Sequence, residues 1–167
     1  KRKNDFLFIG RISREKNISK IIDVFKENSK FNLDLYGQKN SPNEAYLLNS
    51  KNISFYEPVP NNLIPKLLNK YKFLILLSNF EGLSKTVMEG ISCGIFCIVS
   101  DLIENKFLIK HNVNGYILKK GSVLNLKNVL ESEKQNQLYV DYNKNFVHKY
   151  FSFEKYLERE ISILNKI

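Results

Sequence analysis

The run Phe73-Leu74-Ile75-Leu76-Leu77 narrows most sharply what this chain can become. It is apolar at every position, whereas a strand with one wet face alternates. Such a segment is buried on both sides, as a parallel strand covered by helices is. The flanking pattern agrees. Short apolar strands are expected at residues 6–9, 31–36, 53–56, 96–99 and 115–118. Between them come helical stripes: residues 18–25, apolar at 18, 21, 22 and 25; a stripe at Leu63, Leu67 and Leu68 with Pro65 in its first turn; residues 85–93; and residues 104–110. A short helix over residues 44–48 is expected after a loop holding Pro42. Gly94 falls where a helix C′ residue belongs. From Leu124 the chain is expected to be helical, ending in an amphipathic helix over residues 151–167 with Phe153, Tyr156, Leu157, Ile161 and Leu164 on one stripe.

Strand–helix units repeated with short connections specify an α/β fold, a parallel sheet with helices on both faces. The 167 residues are a normal length for one domain, with no internal repeat or low-complexity linker, so residues 1–167 form a single unit. With 43% hydrophobic and 26% charged residues, an ordinary core can form and wholesale disorder is excluded. No stretch approaches the ~20 apolar residues that cross a bilayer. The chain opens Lys1-Arg2-Lys3-Asn4-Asp5 and passes straight into a strand, without a starting Met or leader pattern. It is therefore expected to be part of something longer.

Lys and Arg total 26 against 17 Asp and Glu, a formal charge of +9. That excess favours an anionic partner: nucleic acid, acidic lipid or a phosphorylated small molecule. The cations are dispersed (Lys20, Lys26, Lys66, Lys110, Lys119, Lys120), and no nucleic-acid motif or aromatic–basic repeat accompanies them. A basic nucleic-acid or nucleotide-binding module without catalysis stands as the alternative function. Cys93 and Cys97, with only His111 and His148 elsewhere, are too poor a ligand set for zinc. They fit small buried residues in a reducing compartment.

In parallel α/β sheets, ligands bind beyond the carboxyl ends of the strands. The loops after Ile9, Tyr36 and Leu77 are therefore the places to look. In the first, Gly10 admits close backbone approach, while Arg11 as a fork and Lys16 as a point charge suit the two phosphates of a nucleotide diphosphate. The spacings of a P-loop and of the dinucleotide-binding G-x-G-x-x-G turn are both absent. Taken alone, Arg11 and Lys16 equally fit an ordinary basic surface. In the third loop, Gly82 and Ser84 fit a tight turn whose following amides, at a helix N-terminus, point toward an anion. Glu81 at the strand tip would accept hydrogen bonds from sugar hydroxyls. Glu89, about two turns inside the helix and roughly 7 Å along its axis, would do the same for a ribose diol. A structural alternative stays open: Glu81 as partner of the helix dipole, Glu89 as an exposed helix residue.

Glu81 and Glu89 form an E-x7-E motif within Glu81-Gly82-Leu83-Ser84…Glu89-Gly90-Ile91-Ser92-Cys93-Gly94, followed by Ile98-Val99-Ser100-Asp101. This run resembles the signature of retaining GT-B glycosyltransferases of the bacterial glycosyl transferases group 1 (family 4) type, which build O-antigen, lipopolysaccharide, capsule and teichoic-acid glycans. Gly10-Arg11…Lys16 is similar to the family's G-R-x4-K loop, and Asn114-Gly115-Tyr116-Ile117-Leu118 to its N-G-x-L-V strand. Phe151-Ser152-Phe153-Glu154 is similar to the F-S-W start of its last helix. These landmarks keep family order and spacing from residue 6 to 167. Leu83, Ser84 and Gly90-Ile91 depart from the usual Phe, Gly and Ala-Met, and Tyr56-Glu57-Pro58 lacks a common Gly.

The resemblance implies one half of a GT-B fold, a Rossmann-like donor domain whose last helix, 151–167, crosses to an N-terminal acceptor domain absent from this chain. It implies that Arg11 and Lys16 hold the diphosphate with backbone amides at Leu83, Ser84 and Lys85, that Gly10 allows close approach, and that Gly82 belongs to the same binding loop. Glu81 would bond the sugar, Glu89 the ribose, and backbone at Pro58 and Val59 would edge the base. Glu81, Arg11 and Lys16 would carry the catalytic roles, with no required metal or other cofactor. The implied partners are a UDP-linked or other NDP-sugar, the acceptor domain and a lipid-linked acceptor at a membrane surface, with no nucleic acid. The implied location is cytoplasmic, peripheral to the inner membrane face, and the isolated fragment is expected to be inactive.

Overall fold

The computed structural model describes residues 3–38, 50–119, 125–131 and 138–152, together with residues 154, 155, 158, 161 and 162. Its strands are β1 (Lys3–Ile9), β2 (Leu33–Tyr36), β3 (Ile53–Tyr56), β4 (Tyr71–Leu76), β5 (Phe96–Ser100) and β6 (Gly115–Leu118). They form one six-stranded sheet in the order β3-β2-β1-β4-β5-β6, and every neighbouring pair is parallel. The continuous apolar run lies at its centre as expected: Leu74, Ile75, Leu76 and Leu77 are all buried. Pairing of β1 with β4 shifts register between Lys3 and Phe6, a local irregularity at the far end from the loops of interest.

Among the described residues the named α-helices are, in chain order, α1 (Ile18–Glu27), α2 (Ile64–Leu68), α3 (Lys85–Ser92), α4 (Ile103–Leu108), α5 (Asn125–Glu131) and α6 (Leu138–Phe151). α1 buries Ile18, Ile21, Ile22, Val24 and Phe25, the stripe predicted from its period, extended by one position. Phe25 meets Phe6 edge-on at 5.3 Å, and Phe6 stacks on Phe73 at 4.6 Å, so α1 covers the sheet face that carries these rings. Burying a ring such as Phe25 contributes roughly 1.5–3 kcal/mol. α3 lies on the opposite face, where a Cβ added to Gly90 would stand 2.8 Å from Leu74 Cδ2 and 3.2 Å from Cys97 Sγ. Side chains alternate along a strand, so Leu74 points away from Phe73, and helices occupy both faces.

The ends of the helices follow their local chemistry. Pro65 sits in the first turn of α2, where its missing N–H costs nothing. Gly94 has φ +69 after α3, the left-handed C′ conformation expected of it, and its bare Cα lets Val140 of α6 close to 2.8 Å of where a Cβ would be. Asn143 of α6 adds a hydrogen bond from Nδ2 to the Ile95 carbonyl at 2.9 Å, fixing α6 behind α3.

Two expectations change. Cys97 is buried, and burial pushes its thiol pKa well up, but Cys93, the residue that ends α3, is only half-buried. Phe151 closes α6 instead of opening the last helix; Ser152 breaks the run, and its hydroxyl accepts from the Lys155 N–H at 3.3 Å. The helix expected over residues 44–48, the Pro42 loop and most of 153–167 lie outside the described residues. Among the described residues, no helix is long and apolar enough to cross a membrane.

Chain order places β2 and β3 on one side of β1, and β5 and β6 beyond β4 on the other. The sheet therefore changes direction between β1 and β4, and a crevice opens beyond their carboxyl ends. The loops after Ile9 and Leu77 are its two walls.

Candidate functional site

The first wall leaves β1 at Gly10, whose φ of +154 lies in the range that favours glycine. The Gly10 N–H donates to the Tyr36 carbonyl at 3.0 Å, and the Ile12 N–H to Gln38 at 2.9 Å, so the loop is laid along the end of β2. A Cβ at Gly37 would stand 1.7 Å from the Gly10 carbonyl oxygen, a contact only glycine permits. Arg11 is exposed and, among the described residues, has no ion-pair partner. A short 3-10 turn, Arg14–Lys16, then brings the chain to Asn17, which takes the left-handed conformation at φ 53. Asn is among the few side chains that tolerate that region.

Asn17 ties the first wall to the second. Its Nδ2 donates to the Leu77 carbonyl at 2.7 Å and to Asn79 Oδ1 at 2.8 Å, while the Asn79 N–H donates to the Glu15 carbonyl at 2.8 Å. Beside this seam the Lys16 ammonium is ion-paired with Glu81 Oε1, and each side chain is only 15% exposed. The Ser78 hydroxyl donates to the same carboxylate oxygen at 2.6 Å. Ser78 is itself buried, and its carbonyl accepts from Ser100 Oγ at 2.7 Å, which roots the loop on β5. The Glu15 carboxyl is held below the usual carboxylate range by its own backbone N–H first, with the charges of Arg11 and Lys16 adding to the effect.

The second wall runs from Ser78 to Ser84 and ends at α3. Ser84 is buried, takes an extended conformation and accepts from the Val87 N–H at 3.4 Å, a side-chain N-cap. Because α3 starts from the carboxyl end of β4, its uncapped first amides and positive dipole end belong to the crevice. Gly82 departs from expectation: it lies in a bend with nothing within 4 Å of an added Cβ, so no tight turn demands glycine there. Phe80 and Leu83 are exposed at this rim.

The two carboxylates have different partners. Glu81 is not a cap for α3, since Ser84 fills that role and Glu81 is turned to Lys16 and Ser78. Glu89 is four residues past Lys85, so it lies about one turn and ~6 Å along α3, nearer its start than the two turns expected. It is half-buried and pairs with Lys85 at 3.5 Å. Pro58 and Val59 follow β3 on the same rim but two strands away from β1; Pro58 is exposed, and Val59 packs on the core. Tyr36 and Tyr56 stack at 4.5 Å at the ends of β2 and β3. Among the described residues no group of three His, Cys, Asp or Glu converges as a metal ligand set would.

Sequence reasoning missed Asn17, Gly37 and Ser78. Asn17 carried a signal, an Asn between a loop and a helix; Gly37 follows a strand end. Ser78 had none beyond its place after an apolar strand.

The arrangement resembles known proteins in sequence and in shape. The family profile described as "Glycosyl transferases group 1" matches residues 1–148. The lipopolysaccharide 1,6-galactosyltransferase of Escherichia coli (strain K12) is 26% identical over 150 residues, 83% of this chain and 42% of that protein. The UDP-Gal:alpha-D-GlcNAc-diphosphoundecaprenol alpha-1,3-galactosyltransferase of Escherichia coli is 30% identical over 69 residues, 41% of this chain and 18% of that protein. The crystal structure of Anabaena Alr3699/HepE in complex with UDP superposes with a TM-score of 0.81 at 17% identity, covering 98% of this chain and 50% of that one. The apo lipopolysaccharide outer core galactosyltransferase WaaB gives 0.77 at 22% identity, covering 99% of this chain and 50% of that one. The chain thus spans half or less of these relatives, and the likeness in shape places its sheet within the GT-B fold.

Proposed function

The chain belongs to the glycosyl transferases group 1 family, and from that premise we propose that it is the nucleotide-sugar-binding part of a retaining sugar transferase. The single observation that carries the proposal is the meeting of Lys16 and Glu81 over the β1–β4 junction, beside the start of α3. A phosphate-binding cation, a hydroxyl-accepting carboxylate and free helix amides there face one crevice. A UDP-hexose is the donor we favour; UDP in the Anabaena structure and the galactosyl transfer named for both Escherichia coli relatives support it.

Arg11 and Lys16 hold the diphosphate with the amides at Leu83, Ser84 and Lys85. Glu81 accepts from the sugar, Glu89 from the ribose, and backbone at Pro58 and Val59 edges the base. In transfer, the bond from the anomeric carbon to the diphosphate oxygen breaks as one forms to an acceptor hydroxyl on the same face. The hydroxyl proton passes to the departing phosphate. Cations and amides already aimed at the leaving oxygens stabilise the charge that develops on them, so no metal is required. The acceptor, a glycan or lipid-linked sugar of envelope synthesis at the cytoplasmic membrane face, is held by a second domain, and turnover needs that domain.

Calorimetry and thermal shift with UDP, UDP-hexoses and GDP-mannose test the proposal. A UDP-hexose should bind and raise the melting temperature; silence with every nucleotide would end it. Lys16→Ala should weaken binding about 10- to 100-fold, near the 1.5–3 kcal/mol of a charge-assisted hydrogen bond, while Lys110→Ala leaves it unchanged. Equal losses would mean nonspecific charge.

A further inference from the structure

We infer that the Glu81 carboxylate is an exchangeable counter-ion: it neutralises Lys16 in the empty site and passes to the sugar hydroxyls when a donor binds, so that the site disfavours a bare nucleoside diphosphate. The inference rests on the donor-site reading above.

The two partners of the carboxylate differ in mobility. Ser78 is 2% exposed and its backbone is pinned by Ser100, so its hydroxyl is a fixed donor. Lys16 carries its ammonium on a flexible four-carbon stem and is the movable donor. Both charged side chains are mostly shielded from water, so their attraction is not screened as a surface pair's would be. Arg11, exposed and outside any ion pair among the described residues, is the cation an incoming diphosphate meets first.

A diphosphate that recruits Lys16 must take it from Glu81. The carboxylate is then left with Ser78 alone, close to several phosphate charges of its own sign, which costs binding energy. A sugar on the diphosphate offsets that cost, because its hydroxyls donate to the freed carboxylate and the ester linkage removes one charge. After transfer, the leaving nucleoside diphosphate has no such donors. Glu81 retakes Lys16, and the product is expelled by the residue that had held the sugar. The pair therefore sorts substrate from product with groups the site already contains.

Calorimetry of UDP on this chain decides the matter. Glu81→Gln keeps the shape, removes the competing charge and should tighten UDP about three- to tenfold, with little or no gain for UDP-galactose. Glu81→Asp keeps the charge and should stay within about twofold of the native chain for UDP. UDP binding that is unchanged or weaker in folded Glu81→Gln would overturn the exchange and leave Glu81 a structural strut. If circular dichroism shows that variant unfolded, Ser78→Ala decides instead. There Lys16 becomes the sole donor to the carboxylate, so UDP should weaken about threefold, and unchanged or tighter binding overturns the inference. A native chain that binds neither UDP nor UDP-galactose defeats the donor-site reading itself, a result distinct from either of these.

Discussion

The loop entering α1 and the loop entering α3 leave adjacent strands, wall the same crevice and each end at a helix N-terminus, yet they finish differently. Ser84 ends the second in an extended conformation and turns its hydroxyl inward, onto the Val87 N–H of its own helix. Asn17 ends the first in the left-handed region with no side-chain cap for α1; its amide reaches across to Leu77 and Asn79. One helix start is capped by its own Ser84 at the Val87 N–H, while the other forgoes capping to hold the two walls together. Here the polar side chain at one helix entrance serves its own helix and that at the other serves the site.

The contrast can be broken at three points, in falling order of effect. Gly37→Ala should be the harshest, because a methyl group 1.7 Å from the Gly10 carbonyl forces the first wall off the end of β2. We expect a loss of about 3 kcal/mol or more, a drop in melting temperature of about 6–12 °C for a chain of this size. A melting temperature near that of the native chain would mean that the first wall is not held by this contact. Asn17→Ala should cost about 2–3 kcal/mol, combining two lost hydrogen bonds with the strain of Ala at positive φ. Asn17→Gly should recover about 1 kcal/mol of that, the strain alone, in denaturant titrations; no recovery would place the whole effect in the cross-loop bonds. Ser84→Ala should cost least, about 1 kcal/mol, as one lost N-cap does. Equal losses at 17 and 84 would show that the two helix starts do the same work and erase the distinction.

How far the sequence foretold this depends on the range of the forces. The central strand could be read because a parallel strand buried on both faces needs apolar residues in unbroken order, as Phe73 to Leu77 shows, while β2 and β3, broken by Asp34 and Ser54, were read from short apolar patterns nearer the sheet edge. α1 announced itself through its 3.6-residue period, α2 through Pro65 and the end of α3 through Gly94, each a local effect within one or two turns. α6 lies within the tail expected to be helical from Leu124, but its start at Leu138 and its inward Asn143, bonded to the Ile95 carbonyl, are not features that a hydrophobic stripe reveals. The site divides in the same way. Lys16 and Glu81 were foreseen as crevice residues, but 65 positions separate them, and their mutual pairing is a product of topology. Gly37 looked like any strand-end glycine until β2 and the β1 loop came into register, and Asn17 reveals its partners only once β4 lies beside β1.

The seam at Asn17 also bears on motion. The amides of Gly10, Ile12 and Asn79 are each bonded to a carbonyl on a different segment, so none can be exposed without disturbing its neighbours. Loops joined in this manner do not fluctuate one at a time; they fray as a unit, with a single opening energy. Their backbone hydrogens should then exchange with deuterated solvent in step, at a pace set by the sheet beneath them instead of by each loop's own length.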